Sequence, residues 1–281
     1  MALYLRPTEL GSALAALAEN RLTVLAGGTD FYPARVGRAI ADDILDVTAL
    51  SELRGIGDAG DHFRIGATTT WSDVIAAPLP RWFDGLKLAA REVGGVQIQN
   101  AGTVAGNLCN ASPAADGIPA LLSLAASLEL RSGRGQRVMA LQDFVLGNRR
   151  TARMPDELVT AILVPKPRHP ARAGFAKLGA RKYLVISIVM VAAVVEVEEG
   201  RVAAARIAVG SCAPAARRLP ALEAALRGRP FAPGLGQGVA TEHLAPLAPI
   251  DDVRGTGAYR MDSCKTLISR LLDGLAGASM G

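Results

Sequence analysis

Ala26-Gly27-Gly28-Thr29-Asp30 and Asn100-Ala101-Gly102-Thr103-Val104-Ala105-Gly106-Asn107 are the two stretches on which the reading of this chain turns. In each, small residues leave backbone amides uncovered. The first follows the apolar run Leu22 to Leu25, which reads as a strand. Gly27 and Gly28 would therefore turn the chain at a strand end with N–H groups pointing one way, an anion cradle. Two such cradles, with hydroxyls at Thr29 and Thr103, suit a ligand carrying two adjacent negative groups, and a dinucleotide pyrophosphate is the common biological case. The loops do not fit the Rossmann fingerprint, which needs three spaced glycines opening one helix. Either loop alone reads as a plain turn more often than as a site. What shifts the balance is the segment after the second loop, Leu108 to Asp116.

The run Gln97 to Asn107, followed by Ala111-Ser112-Pro113-Ala114-Ala115-Asp116, resembles the FAD-binding subunit of the molybdenum hydroxylases, the xanthine dehydrogenase and carbon monoxide dehydrogenase group. The Ala26 to Asp30 loop is similar to the first flavin loop of that family. Phe175 to Lys182 is similar to its lysine-bearing segment beside the flavin, and Asp252-Val253-Arg254-Gly255 to Tyr259-Arg260 to its C-terminal signature. The matches run in order over nearly the whole chain. The implied fold is α+β: a two-lobed FAD-binding domain of the vanillyl-alcohol-oxidase-like (PCMH) type, then a C-terminal domain with an antiparallel sheet and helices.

Composition agrees without identifying the family. The 281 residues suffice for one large domain or two smaller ones, and 50% hydrophobic with 20% charged residues is ordinary for a globular chain. The longest apolar stretch, Tyr183 to Val197, falls short of the roughly 18 residues of a spanning helix. The N-terminus has no charged leader ahead of an apolar run, so no secretion signal and a cytoplasmic location are expected. Cys109, Cys212 and Cys264 are widely separated, which argues against a disulfide framework, a zinc site or an iron–sulfur cluster held by this chain alone. Cys109, inside the second motif, reads as a small buried hydrophobe. His62, His169 and His243 are scattered and read as surface or loop residues. The net charge of +5 is spread through the chain without a basic helix or aromatic interleaving, so no nucleic-acid face is expected.

Periodicity supplies the element order. A helix over Thr8 to Ala18, with Thr8 as candidate N-cap, precedes strands at Leu22 to Leu25 and Ile44 to Val47. A second lobe contains a strand at Phe63 to Ala67, a helix opened by Thr70 or Ser72, a helix near Leu86 to Val93 and a compact segment at Ala120 to Ala126. Leu158 to Val164 is a strand, and Pro165, Pro167 and Pro170 form a stiff connector. The expected organisation is an FAD-binding domain over residues 1–168, with sub-lobes at about 1–53 and 54–168, and a C-terminal domain over 169–281. In the latter, Tyr183 to Val197 and Val202 to Val209 flank Glu198 to Arg201 as a hairpin, and Leu222 to Leu226 and Lys265 to Leu275 are helical.

From residue types and the resemblance together, the cofactor contacts are expected at Ala26, Gly27, Gly28, Thr29, Asp30 and Phe31 on one side. On the other stand Thr103, Val104, Ala105, Gly106 and Asn107. Asp116 would accept from sugar hydroxyls, Leu158 and Val159 would line the nucleotide pocket, and Lys177 would be the charged contact from the C-terminal domain. Two departures from the family pattern stand out: Ala105-Gly106 replaces a glycine pair, and Leu184-Val185-Ile186-Ser187 replaces an acidic residue followed by Ile-Ala. The matched motifs hold no nucleophile with base and orienter, no paired carboxylates and no metal ligands, so neither catalytic nor metal-binding residues are assigned to this chain.

The resemblance implies FAD as the cofactor, with the molybdenum cofactor and the [2Fe-2S] clusters in a large and a small partner subunit. It also implies a dimer of heterotrimers in which this subunit relays electrons to NAD, oxygen or another acceptor. The sequence leaves two alternatives open, a standalone FAD-dependent oxidoreductase and a non-catalytic nucleotide-binding module. Purines, N-heteroaromatic acids, aldehydes and carbon monoxide all remain open as substrates of the complex.

Overall fold

The computed structural model describes residues 2–277. The N-terminal lobe comprises β1 (Tyr4–Leu5), α1 (Leu10–Glu19), β2 (Thr23–Leu25) and β3 (Ile44–Asp46), with the strands parallel in the order β1-β3-β2. Helix α1 buries Leu10, Ala13 and Leu17 against Leu45, Leu50 and Leu53. Thr8 is not its cap: the helix starts two residues later, and the Leu10 N–H donates to the Glu52 carboxylate at 3.2 Å. A side chain from another turn satisfies an orphan amide that a local cap would otherwise take.

The second lobe carries β4 (Ile56–Asp58), β5 (His62–Gly66), α2 (Trp71–Ala76), α3 (Asp84–Glu92), α4 (Val96–Ala101), α5 (Val104–Asn110) and α6 (Gly117–Ser123). It continues through β6 (Ser127–Ser132), β7 (Gly135–Ala140), α7 (Leu141–Phe144), β8 (Val145–Gly147), β9 (Arg150–Thr151) and β10 (Leu158–Pro165). Its main sheet is antiparallel in the order β4-β5-β10-β6-β7. β10 is central, yet Pro165 is tolerated because the pairing with β6 ends at Leu163. Thr70 opens α2 through a capping box with Asp73.

The C-terminal domain is a sheet of β11 (Ala171–Leu178), β12 (Val189–Glu198), β13 (Arg201–Gly210) and β14 (Arg217–Arg218), with α8 (Pro220–Leu226) and α9 (Gly257–Gly277) packed against it. β12 is buried from Val189 to Val197. Its odd-numbered residues Val191, Ala193 and Val195 face α8 and α9. Its even-numbered residues Ala192 and Val194 join the core of the second lobe, so one strand serves both domains. Glu199 and Gly200, both at positive φ, close the β12–β13 hairpin in the twist that two-residue loops prefer.

The expected strand from Tyr183 begins instead at Val189. Leu184 sits at φ 51°, with its carbonyl bonded by the Arg181 guanidinium, and residues 183, 184 and 186 are exposed. Apolarity alone does not make a strand where the chain has to turn. α9 begins well before Lys265. The Asp252–Arg260 motif pins that start: Arg260, 3% exposed, donates to Asp252 Oδ1 at 2.7 Å and to the Ser211 carbonyl at 3.3 Å, and its Nη1 also donates to the Ile188 carbonyl. The motif is therefore a staple between α9 and the sheet.

Candidate functional site

The two glycine turns meet. A β-carbon on Gly27 would come within 1.9 Å of the Ala101 carbonyl oxygen and 2.9 Å of the Gly102 α-carbon. One on Gly102 would stand 3.3 Å from Thr29 Oγ1. Gly28 adopts φ +69°, and the Tyr32 ring fills the space where its side chain would go. The first turn is thus glycine for close approach at Gly27 and for left-handed backbone at Gly28. Beside the junction opens a cavity of about 630 Å³, a size usual for small-molecule and cofactor sites.

Of the first turn, Ala26, Gly27, Gly28, Thr29, Asp30 and Phe31 all line this cavity. Among the described residues, the N–H groups of Gly27, Gly28, Thr29 and Asp30 donate to no protein acceptor. Four adjacent amides at a strand end without partners form a donor surface that an anion can satisfy. The Phe31 ring lies under the Arg35 guanidinium, 3.7 Å from its centroid, and Asp42 holds that guanidinium through two 2.8 Å bonds.

The second turn differs from the sequence reading. Asn100 and Ala101 end α4, and Val104 to Asn107 form the first turn of α5 with Thr103 as N-cap. Thr103 Oγ1 accepts from the Gly106 N–H at 3.0 Å, the Thr103 carbonyl from the Asn107 N–H at 3.1 Å, and the Thr69 carbonyl from the Val104 N–H at 2.9 Å. Three of the four amides expected to wrap a ligand are therefore spent inside the protein. The Ala105 N–H remains without a partner among the described residues. Val104 is fully buried and stands apart from the cavity wall, whereas Thr103, Ala105, Gly106 and Asn107 line it. The hydroxyl proton of Thr103 is still free to donate, because its oxygen acts as acceptor in the cap. Asn107 Oδ1 is buried without a hydrogen-bond partner, packed towards Gly117, whose β-carbon would stand 2.9 Å away.

Leu158 and Val159, at the start of β10, complete the wall near Thr23, Val24 and Val47. Asp116 and Lys177 are brought together with each other, and neither is part of the cavity wall. Lys177 Nζ donates to Asp116 Oδ2 at 2.8 Å and Ser187 Oγ to Asp116 Oδ1 at 2.7 Å, a clasp between the second lobe and the C-terminal domain. Burial pushes the Asp116 carboxyl above its ordinary range, outweighing the pull of Lys177 and Ser187. The clasp lies next to one end of the cavity: Lys177 Nζ reaches the Glu92 carbonyl at 3.4 Å, and Val93 lines the wall.

Cys109, which lies inside the second motif where it could sit near a cofactor, does line the cavity, and so do Arg149, Thr151 and Arg153, which sequence reasoning missed. Cys109 is exposed rather than buried, yet the protein atoms crowding its thiol push its pKa up to about 11 by desolvation, against a smaller lowering by Arg153. The available signal was the basic pair Arg149-Arg150 with Arg153 close behind it, within a charge that is spread along the chain. Among the described residues no cluster of His, Cys, Asp or Glu is arranged to hold a metal ion, and no helix is long and apolar enough to cross a membrane.

Adjacent unpartnered amides, a free hydroxyl donor and a wall with aliphatic residues such as Val93, Ile98, Leu158 and Val159 fit a dinucleotide carrying a pyrophosphate. Comparison with known proteins points the same way. Residues 1–167 match the model of the FAD binding domain in molybdopterin dehydrogenase, and residues 175–275 match the CO dehydrogenase flavoprotein C-terminal domain. The chain is 30% identical over 283 residues to a putative xanthine dehydrogenase FAD-binding subunit of Escherichia coli strain K12, covering 99% of this chain and 97% of that one. It is 28% identical to the carbon monoxide dehydrogenase medium chain of Hydrogenophaga pseudoflava, covering 96% of this chain and 95% of that one. Among solved structures, a chain of carbon monoxide dehydrogenase from Hydrogenophaga pseudoflava superposes with a TM-score of 0.89 at 29% identity, over 99% of this chain and 98% of that one.

Proposed function

This chain belongs to the FAD-binding subunits of the molybdenum hydroxylase family, and from that premise we propose that it binds one FAD in the cavity between its glycine turns and relays electrons inside a larger oxidoreductase. The observation that carries the proposal is the contact of the two turns around donors the protein itself leaves unsatisfied.

The amides of Gly27 to Asp30, with the Ala105 N–H and the Thr103 hydroxyl, would hold the pyrophosphate. Hydrogen bonds to phosphate are charge-assisted and roughly twice as strong as neutral ones. The side-chain NH2 of Asn107, a residue of the cavity wall, would add a donor. Asp116 retains lone pairs beyond those used by Lys177 and Ser187, so it can accept a further hydroxyl while the clasp keeps the domains in register. Lys177, ending beside Glu92 at the domain junction, would place positive charge near the ring and favour its reduced, anionic form. The bound flavin supplies the electron-accepting and electron-donating chemistry.

The chain's part is to bind, orient and tune. We assign the molybdenum cofactor to a large partner subunit and the [2Fe-2S] clusters to a small one, in a dimer of heterotrimers, with NAD, oxygen or another compound as final acceptor. The support is the chain's kinship with a medium chain of carbon monoxide dehydrogenase, together with the scatter of its three cysteines.

An absorbance spectrum of the protein purified with its partners tests the reading. Oxidised-flavin bands amounting to about one FAD per chain are expected. Reduction of those bands by substrate should require the two partner subunits. A protein that remains colourless after incubation with FAD would overturn the proposal, and turnover of a substrate by the isolated chain would favour a standalone oxidoreductase.

A further inference from the structure

Arg149 takes no part in the proposed grip on the pyrophosphate. It is exposed, lines the cavity and occupies the tip between β8 and β9 at φ 54°. Its N–H donates to the Ala111 carbonyl at 3.2 Å, and Ala111, itself at φ 48°, is the C-cap of α5. Among the described residues its guanidinium has no acidic or carbonyl partner, unlike Arg35, which Asp42 holds, and Arg153, which donates to the carbonyl of Glu157 at 2.6 Å. The same short helix therefore carries the Thr103 cradle at its N-terminus and the anchor of Arg149 at its C-terminus. At 1.5 Å per residue the two stand about 12 Å apart, which leaves room for one nucleoside between them.

Val93 and Ile98 stand in the part of the wall that adjoins the Lys177–Asp116 clasp, where two domains meet. Leu158 and Val159 on β10 and Arg149 at the β8–β9 tip belong to other elements of the same wall. A redox-active ring has to be reached by an electron donor and an acceptor, so it belongs at the domain junction. That leaves the adenosine half for the part of the wall that carries Arg149, where aliphatic side chains can cover one face of the base. A planar guanidinium suits the other face, since arginine stacks on aromatic rings.

Resting on the FAD reading, we propose that Arg149 is a specificity-determining residue. It closes over the adenosine half of the bound cofactor, so that the site selects flavin dinucleotide over flavin mononucleotide.

The test is titration of the flavin-free full-length protein with FAD, ADP and FMN, followed by flavin fluorescence or calorimetry. Arg149→Gly is the informative variant, because glycine accepts the positive φ and removes only the side chain. Its affinities for FAD and ADP should fall about tenfold, between the sizes of an exposed and a fully desolvated cation–π contact, while affinity for FMN stays as in the wild type. Arg149→Lys, which keeps the charge but loses the planar face, should fall between the two. FAD affinity of the glycine variant within twofold of wild type would overturn the inference, as would equal losses for FAD and FMN. If Arg149→Gly does not fold, equal FAD affinity of Arg149→Lys and wild type overturns it. Wild-type protein that binds no FAD would instead sink the reading on which the inference rests.

Discussion

The Ala26–Asp30 turn and the Thr103–Asn107 turn look alike as strings of small residues, yet they differ in what their amides do. In the first, the N–H groups of Gly27 to Asp30 are unspent among the described residues. In the second, a helix begins, and its cap and the Thr69 carbonyl consume the donors of Val104, Gly106 and Asn107. Glycine follows the same division. Gly27 and Gly28 serve the approach and curvature of the turn, whereas a β-carbon on Gly106 would stand 2.7 Å from Thr103 Oγ1 and disturb the cap. One turn is a binding surface; the other is mostly a support that fixes its height.

The sharpest way to break this division is Gly27→Val. The new β-carbon would be forced onto the Ala101 carbonyl oxygen, a backbone atom that cannot rotate away. Overpacking of this kind costs about 1–3 kcal/mol, and the turns would have to part. The expected outcome is a protein that purifies without flavin, with a melting temperature lowered by several degrees. Full flavin content in this variant would show that the contact between the turns is not needed for binding.

The sequence shows this site unevenly, for physical reasons. Glycine pairs after an apolar run mark the first turn because backbone geometry there is set locally, by Gly28 at φ +69° and by the strand end. The helical nature of the second turn is hidden, because α4 and α5 are short and broken by Gly102, too brief for an apolar period to appear. The doubly buried β12 was legible as a long apolar run, but its start was not, since Leu184 and Ile186 continue the run while facing solvent. Arg149 and Arg153 were invisible as cavity residues because only the β8–β9 pairing carries them to the wall. The Asp116–Lys177 clasp joins residues 61 apart in the chain, a contact no local pattern encodes.

A smaller effect sharpens the contrast within the second turn. Thr103→Ala removes the acceptor for the Gly106 N–H and, in the proposed complex, one donor to the phosphate. The lost cap should cost about 1 kcal/mol of stability, and the lost charge-assisted bond should weaken FAD by roughly tenfold. Thr103→Ser keeps the oxygen and should restore most of both, read by thermal melting and by flavin titration. If Thr103→Ala lowers stability but leaves FAD affinity unchanged, the second turn is support alone and the first turn carries the pyrophosphate by itself.

The smallest expected effect comes from a polar motif that serves the fold. Asp252 accepts from the Arg254 N–H at 2.8 Å, from Arg260 at 2.7 Å and from the Arg254 side chain at 3.0 Å. These partners, the backbone N–H first, lower its pKa to about 2. The unfolded value is about 3.9, so the carboxylate is held more tightly in the folded chain. Its contribution to stability is complete above that unfolded value and is lost as pH falls towards the folded one. Wild type should therefore melt above Asp252→Asn at pH 6, with the gap narrowing as the pH is taken below about 4. Flavin content at pH 6 should be equal in the two proteins, because Asp252 is apart from the cavity wall. Loss of flavin in Asp252→Asn would mean that the staple, by holding α9 on the sheet, also sets the domain junction where Lys177 meets Asp116.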